Sequence, residues 1–140
     1  MNKLIKITQH IEFDSAHRLL NYSGKCLNLH GHRWSVDIEI ESDRNLDSLG
    51  MLIDYSTIKS YFNDYWDHRT ILNMDDPLVD ILKSMNLAIS IMAGNPTAEN
   101  IANKILADMV LLADLDPKNS NDYLNVIVKE SPSNSAEVSL

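Results

Sequence analysis

The 140-residue chain has a single cysteine, Cys26, so it cannot form a disulfide within itself and nothing in it points to an oxidising compartment. It is also short of positive charge. Twelve Lys and Arg stand against twenty Asp and Glu, a net charge of −8, which argues against a nucleic acid as its partner. No stretch approaches the roughly 20 apolar residues of a membrane span. The segment Met1 to Ile11 alternates polar and apolar residues and lacks the continuous hydrophobic run of a signal peptide. A cytoplasmic location with no membrane partner is therefore expected. Repeats, linkers and low-complexity tracts are missing too, and the length suits one domain, residues 1–140, built on one core.

What is present is organised around Cys26-Leu27-Asn28-Leu29-His30-Gly31-His32, with His17 a short way upstream. In an extended backbone, side chains alternate between two faces, so His30 and His32 share one. The residues that follow put Trp34, Val36, Ile38 and Ile40 on that same parity and Arg33, Ser35, Asp37, Glu39 and Glu41 on the other, the pattern of a half-buried strand. Upstream, Ile5, Ile7, Ile11 and Phe13 share the parity of His17. Two neighbouring strands ending in inward histidines would gather three neutral imidazoles at one end of a core. That donor set suits Zn²⁺ with one position left open. His10 falls on the polar face and is expected to be solvated.

Taken in order, the periodicities predict a strand over about Leu4 to Phe13 and a second running from the His-Gly-His turn to Ile40. Asp54 then caps a helix over about Tyr55 to Tyr65. The stretch Trp66 to Asn73 has no clean period. Asp76-Pro77 opens a short helix to about Met85, and Leu87 to Met92 reads as a brief extended segment. Thr97 caps a longer helix carrying Ala98, Ile101, Ala102, Ile105, Leu106, Met109 and Leu112 as its apolar stripe. A strand from Tyr123 places Leu124, Val126 and Val128 on one parity and ends at Glu130, and a last one spans Ala136 to Leu140. Reduced to its main elements the order is ββααββ, an α+β fold with an antiparallel four-stranded sheet and two long helices on one face. The edges of so small a sheet need covering, and joining edges between subunits is one way to do it.

Several other residues carry chemistry. Cys26 lies four residues before His30, as a fourth zinc ligand in a closed site or as a thiolate acting as base. Asp67-His68, if set in a loop, can assist a thiol in moving protons. Glu130 is a carboxylate on the inward parity of a valine-rich strand. That position is costly unless it is paired, and it would be satisfied by two N–H groups from a guanidine-like heterocyclic edge. The helix start at Thr97 offers backbone N–H groups to a ligand.

The motifs Phe13-Asp14-Ser15-Ala16-His17-Arg18-Leu19, Cys26-x3-His30-Gly31-His32, Gly50-Met51-Leu52-Ile53-Asp54-Tyr55, Trp66-Asp67-His68-x3-Leu72-Asn73, Pro96-Thr97-Ala98-Glu99-Asn100 and Lys129-Glu130 follow one another as they do in the 6-pyruvoyl-tetrahydropterin synthase family. The resemblance covers nearly the whole chain. The three-residue gap after Cys26 resembles the bacterial branch, the 6-carboxy-5,6,7,8-tetrahydropterin synthases of 7-deazaguanine (queuosine) biosynthesis. It implies the tunnelling fold (T-fold), with sheets joined into trimeric barrels, trimers stacked as a homohexamer, and active sites at subunit interfaces. It further implies a zinc-dependent lyase in which His17, His30 and His32 hold Zn²⁺ and Cys26 is the catalytic base or acid. Asp67 and His68 would complete a proton relay, and Glu130 would anchor the pterin ring beside Thr97 and Ala98. The implied substrate is 7,8-dihydroneopterin triphosphate, and the products are 6-carboxytetrahydropterin, acetaldehyde and triphosphate. Lys25, Arg18, Arg33 and Arg69 are the cations near the motifs for the triphosphate. Sister activities, pyruvoyl-tetrahydropterin formation or aldolase-type cleavage, act on the same substrate. A reading of another class is a non-catalytic, zinc-stabilised assembly module closed by Cys26. The chain departs from the family pattern at Trp66, where leucine is common, at Tyr55, where phenylalanine is, and at Ser131, which replaces threonine.

Overall fold

Alternation of apolar and polar residues produces two thirteen-residue strands, β1 (Ile5–His17) and β2 (His30–Ser42), in the computed structural model, which describes residues 3–140. They pair antiparallel without interruption from Ile5 opposite Ser42 to His17 opposite His30. β1 therefore runs four residues beyond the expected end at Phe13, and the strand itself delivers His17. Five further elements follow as α1 (Tyr55–Tyr65), β3 (Arg69–Asn73), α2 (Leu78–Ser84), β4 (Ile89–Met92) and α3 (Ala98–Leu112). The chain closes with β5 (Tyr123–Ser131) and β6 (Asn134–Ser139).

These strands form one six-stranded sheet in the order β4-β3-β1-β2-β5-β6. The expected four-stranded antiparallel sheet is thus corrected. In the run β1-β2-β5-β6 each strand is antiparallel to its neighbour, but β3 joins β1 in parallel and β4 joins β3 in parallel, so the sheet is mixed. The reason is physical. Parallel strands covered on both faces carry continuous apolar runs instead of alternation, and β3 buries the adjacent pair Ile71 and Leu72 completely. Strands of five and four residues also leave too little sequence for a period to emerge. The order ββααββ is corrected on the same ground, since a third helix, α2, and the strands β3 and β4 separate α1 from α3.

The apolar face of the sheet is built from Phe13, Trp34, Val36, Ile38, Ile40, Leu124, Val126 and Val128. Against it α1 places Ile58 and Phe62, and α3 places Ile101, Ala102, Ile105 and Met109. Truncating one large member such as Phe62 to alanine costs about 3–5 kcal/mol by cavity formation. Asp54 and Thr97 accept hydrogen bonds from Ser56 N and Asn100 N, the expected caps of α1 and α3. At α2 the cap position is Pro77, while Asp76 accepts from Leu78 N and binds Arg18 as well. No helix among the described residues is long and apolar enough to cross a membrane.

Candidate active site

At one end of the β1–β2 pair, the register seats His17 directly opposite His30 and puts His32 opposite Ser15, one step further along the same face. The ring centroids lie 4.6 Å (His17 to His30), 5.1 Å (His17 to His32) and 4.9 Å (His30 to His32) apart. Trp34 forms the floor, edge-on to His17 at 4.9 Å and to His32 at 5.5 Å, and its indole N–H donates to Ser15 O.

Two of the rings are oriented by backbone carbonyls. His17 Nδ1 donates to Pro96 O at 2.8 Å and His30 Nδ1 donates to Asn28 O at 2.7 Å. Because a carbonyl only accepts, the proton sits on Nδ1 and Nε2 is left as a lone-pair donor, as in outer-shell orientation of metal-binding histidines. Burial lowers the pKa of His17 against the opposing pull of Pro96 O, and burial lowers that of His32 against the pull of Glu130. In both, burial favours the neutral imidazole. Nε2 of His17 and of His32 is buried with no hydrogen-bond partner. Leaving such atoms unsatisfied costs about 1–3 kcal/mol each, and one nitrogen from each of the three rings falls within a 4.8 Å cluster that could hold a metal ion. Cys26 is not a member of that cluster.

Cys26 sits in a single 3₁₀ turn, Lys25–Leu27, half-buried, in the loop between β1 and β2. Its carbonyl accepts from Leu19 N, which ties the loop back to the end of β1. A cavity of about 540 Å³ opens there, and its walls include His17, Cys26, Thr97, Ala98, Glu130 and Asn134. Glu130 Oε1 stands 3.2 Å from His32 Nε2, in contact but outside hydrogen-bond alignment. The thiol, the carboxylate, the start of α3 and one of the imidazoles thus share one wall system.

The sequence profile of 6-pyruvoyl tetrahydropterin synthase matches residues 6–140. The chain belongs to this family. Among its relatives is a 6-carboxy-5,6,7,8-tetrahydropterin synthase of Rickettsia felis, 40% identical over 108 residues that cover 73% of this chain and 78% of the relative. Another, of Haemophilus influenzae and with the same name, is 32% identical over 112 residues covering 73% and 79%. The fold is shared with a 6-pyruvoyltetrahydropterin synthase of Plasmodium vivax, with TM-score 0.70, 23% identity and 99% of each chain covered.

Within this member of the 6-pyruvoyl tetrahydropterin synthase family, Asp67 and His68 lie apart from the Cys26 cavity. They follow α1, where His68 takes a left-handed φ of 55° that turns the chain into β3. Asp67 Oδ2 is 2.9 Å from His68 Nδ1, while Asp67 Oδ1 accepts from Asp14 N. Burial opposes ionisation of Asp67, but the bonds from His68 and Asp14 outweigh it and hold the carboxyl below its ordinary value. His68 is largely exposed and faces a separate, shallow cleft shared with His32 and Arg69. Of the candidate cations, Arg18 is bound by Asp76 at 2.7 and 2.5 Å, Arg33 by Asp14 at 3.0 Å, and Arg69 donates to Ile89 O. Lys25, exposed beside Cys26, makes no ion pair among the described residues.

Two supports of this family site carried no signal in the periodicity. Pro96 O, 79 positions from the ring it holds, is a backbone atom. Asn95 accepts from Leu20 N and Asn73 Nδ2 and donates to Leu20 O, pinning the segment before α3 onto the loop that bears Cys26.

Proposed function

We propose that this chain is a zinc-dependent 6-carboxy-5,6,7,8-tetrahydropterin synthase of 7-deazaguanine (queuosine) biosynthesis. It converts 7,8-dihydroneopterin triphosphate and water to 6-carboxytetrahydropterin, acetaldehyde and triphosphate. The observation that carries this reading is the cluster of three imidazoles with two buried, unpartnered Nε2 atoms beside a cavity holding Cys26 and Glu130. The names of the relatives favour the carboxy product over the pyruvoyl or aldolase alternatives.

In this reading His17, His30 and His32 hold the ion, which supplies Lewis acidity to the side-chain oxygens of the substrate. Glu130 accepts two N–H groups from the pterin edge and so sets the ring's orientation. Thr97 and Ala98, at the start of α3, line the same cavity. Cys26, as thiolate, removes the proton from the side-chain carbon. Asp67 holds His68 through Nδ1, leaving Nε2 to exchange protons with the departing group. Since Asp67 and His68 do not line the Cys26 cavity of their own chain, the working site draws them from a neighbouring subunit. A homohexamer, a dimer of trimers, provides that arrangement. The absence of Cys26 from the histidine cluster counts against a closed Cys-His₃ module.

The test is product analysis by mass spectrometry on wild type and Cys26→Ala, each with its zinc content measured. Wild type should yield both acetaldehyde and the carboxy product, and Cys26→Ala should keep its zinc and yield neither. A pyruvoyl or hydroxymethyl product would move the assignment to a sister activity, and loss of zinc with Cys26 would favour the structural module.

A further inference from the structure

A second cavity, of about 580 Å³, lies away from the histidine cluster, between α1, α2, α3 and the β3–β4 pair. None of His17, His30, His32, Cys26 or Glu130 lines it. Its volume falls in the range of small-molecule sites, which combine apolar walls with a few convergent polar groups. Tyr61 and Trp66 supply aromatic wall, their ring centroids 6.5 Å apart. Trp66 is 3% exposed and its Nε1–H is buried without an acceptor. Tyr61 Oη, which donates to Asp108 at 2.5 Å, lies beside that indole.

The charge lining this cavity runs against that of the whole molecule. In a chain of net −8, its ionised residues are Arg69, Lys83 and Lys104 against Asp108 alone. Asp108 is already engaged by Lys104 at 3.0 Å and by Tyr61. Lys83, at the end of α2, has no ion-pair partner among the described residues. Surplus cations around an aromatic wall ask for a flat ligand that brings negative charge.

We propose that this cavity binds a small aromatic carboxylate, its ring against the aromatic wall and its carboxylate met by Lys83 and Lys104. The site is independent of zinc and of the pterin reading.

The probe is 2-naphthoate, titrated by calorimetry into the full-length, zinc-loaded protein, with neutral 2-naphthamide beside it. The naphthoate should bind saturably, quench Trp66 fluorescence, and bind at least ~10-fold more tightly than the amide, as charge-assisted hydrogen bonds require. Lys83→Gln and the double variant K83Q/K104Q should weaken it progressively while far-UV circular dichroism stays unchanged. Lys83 is exposed, so the single variant keeps the test usable if the double variant unfolds. The proposal is overturned if naphthoate does not saturate at millimolar concentration, as when another copy of the chain covers this face. Equal binding of the amide, or undiminished binding by folded K83Q, also overturns it.

Discussion

His17 is the cross-strand partner of His30, and the two are oriented by carbonyls of different segments, Pro96 O for the first and Asn28 O for the second. The site is therefore held by the β1–β2 register on one side and by the segment leading into α3 on the other.

Replacing His17, His30 or His32 singly by alanine should lower metal affinity by more than about 100-fold, beyond the 10–100-fold typical of outer-shell changes. Zinc measured by atomic emission after dialysis would show it. Retention of a full equivalent in any of the three would contradict the cluster as the metal centre.

Chelation should leave the fold standing. The core of the sheet, α1 and α3 is closed by apolar side chains that do not ligate the ion, so stripping zinc removes only the linkage stabilisation, about 2.7 kcal/mol at a hundredfold excess over Kd. Circular dichroism of the stripped protein should be native-like with a lowered Tm.

Mixing tests the shared site. Cys26→Ala and His68→Ala should each be inactive, yet subunits of the two kinds refolded together should regain about a quarter of wild-type activity, since random assembly in a symmetric ring leaves that share of interfaces intact. Absence of any regain, with mixed oligomers verified by mass, would place Asp67 and His68 outside the working site.

Arg18 and Asp76 form a pair in which the Asp76 side chain is fully covered. The Arg18 hydrogen bond outweighs burial and holds the carboxyl below its ordinary value of 3.8. A depressed carboxylate contributes stability that is whole above the unfolded pKa and is lost as pH falls through the lower folded one. Asp76→Ala should cost about 3–5 kcal/mol at neutral pH, because it strands a guanidinium. Its urea midpoint should also depend less on pH below 4 than that of wild type.

Arg44 donates to Ala113 O, Asp114 O and Leu52 O at 2.6, 3.0 and 2.5 Å. It closes the end of α3 against the segment before α1. Arg44→Ala should destabilise by about 1.5–3 kcal/mol, the range for hydrogen bonds from a charged group, seen as a lower denaturation midpoint at constant m-value.

Legibility followed the range of the interactions. The inward faces of β1, β2 and β5, the caps Asp54 and Thr97, and the shared side of the three histidines were readable, because strand and helix periods are properties of each segment's own backbone. Glu130 stood out as a carboxylate in an apolar parity, and its Oε1 stands 3.2 Å from His32 Nε2. β3 escaped because Ile71 and Leu72 are both buried in a short parallel strand. The separation of Asp67 and His68 from Cys26 had no local signature, since it depends on where α1 ends relative to the sheet.

The sequence by itself determined which side chains share a face and which residue types gather at the strand ends, since alternation and capping need only nearest neighbours. The tertiary structure alone decided which carbonyl holds His17, that β3 and β4 extend the sheet in parallel, and that a cationic aromatic cavity forms from Tyr61 to Asp108. Those outcomes come from contacts between segments dozens of residues apart, where packing and hydrogen-bond satisfaction select the partner.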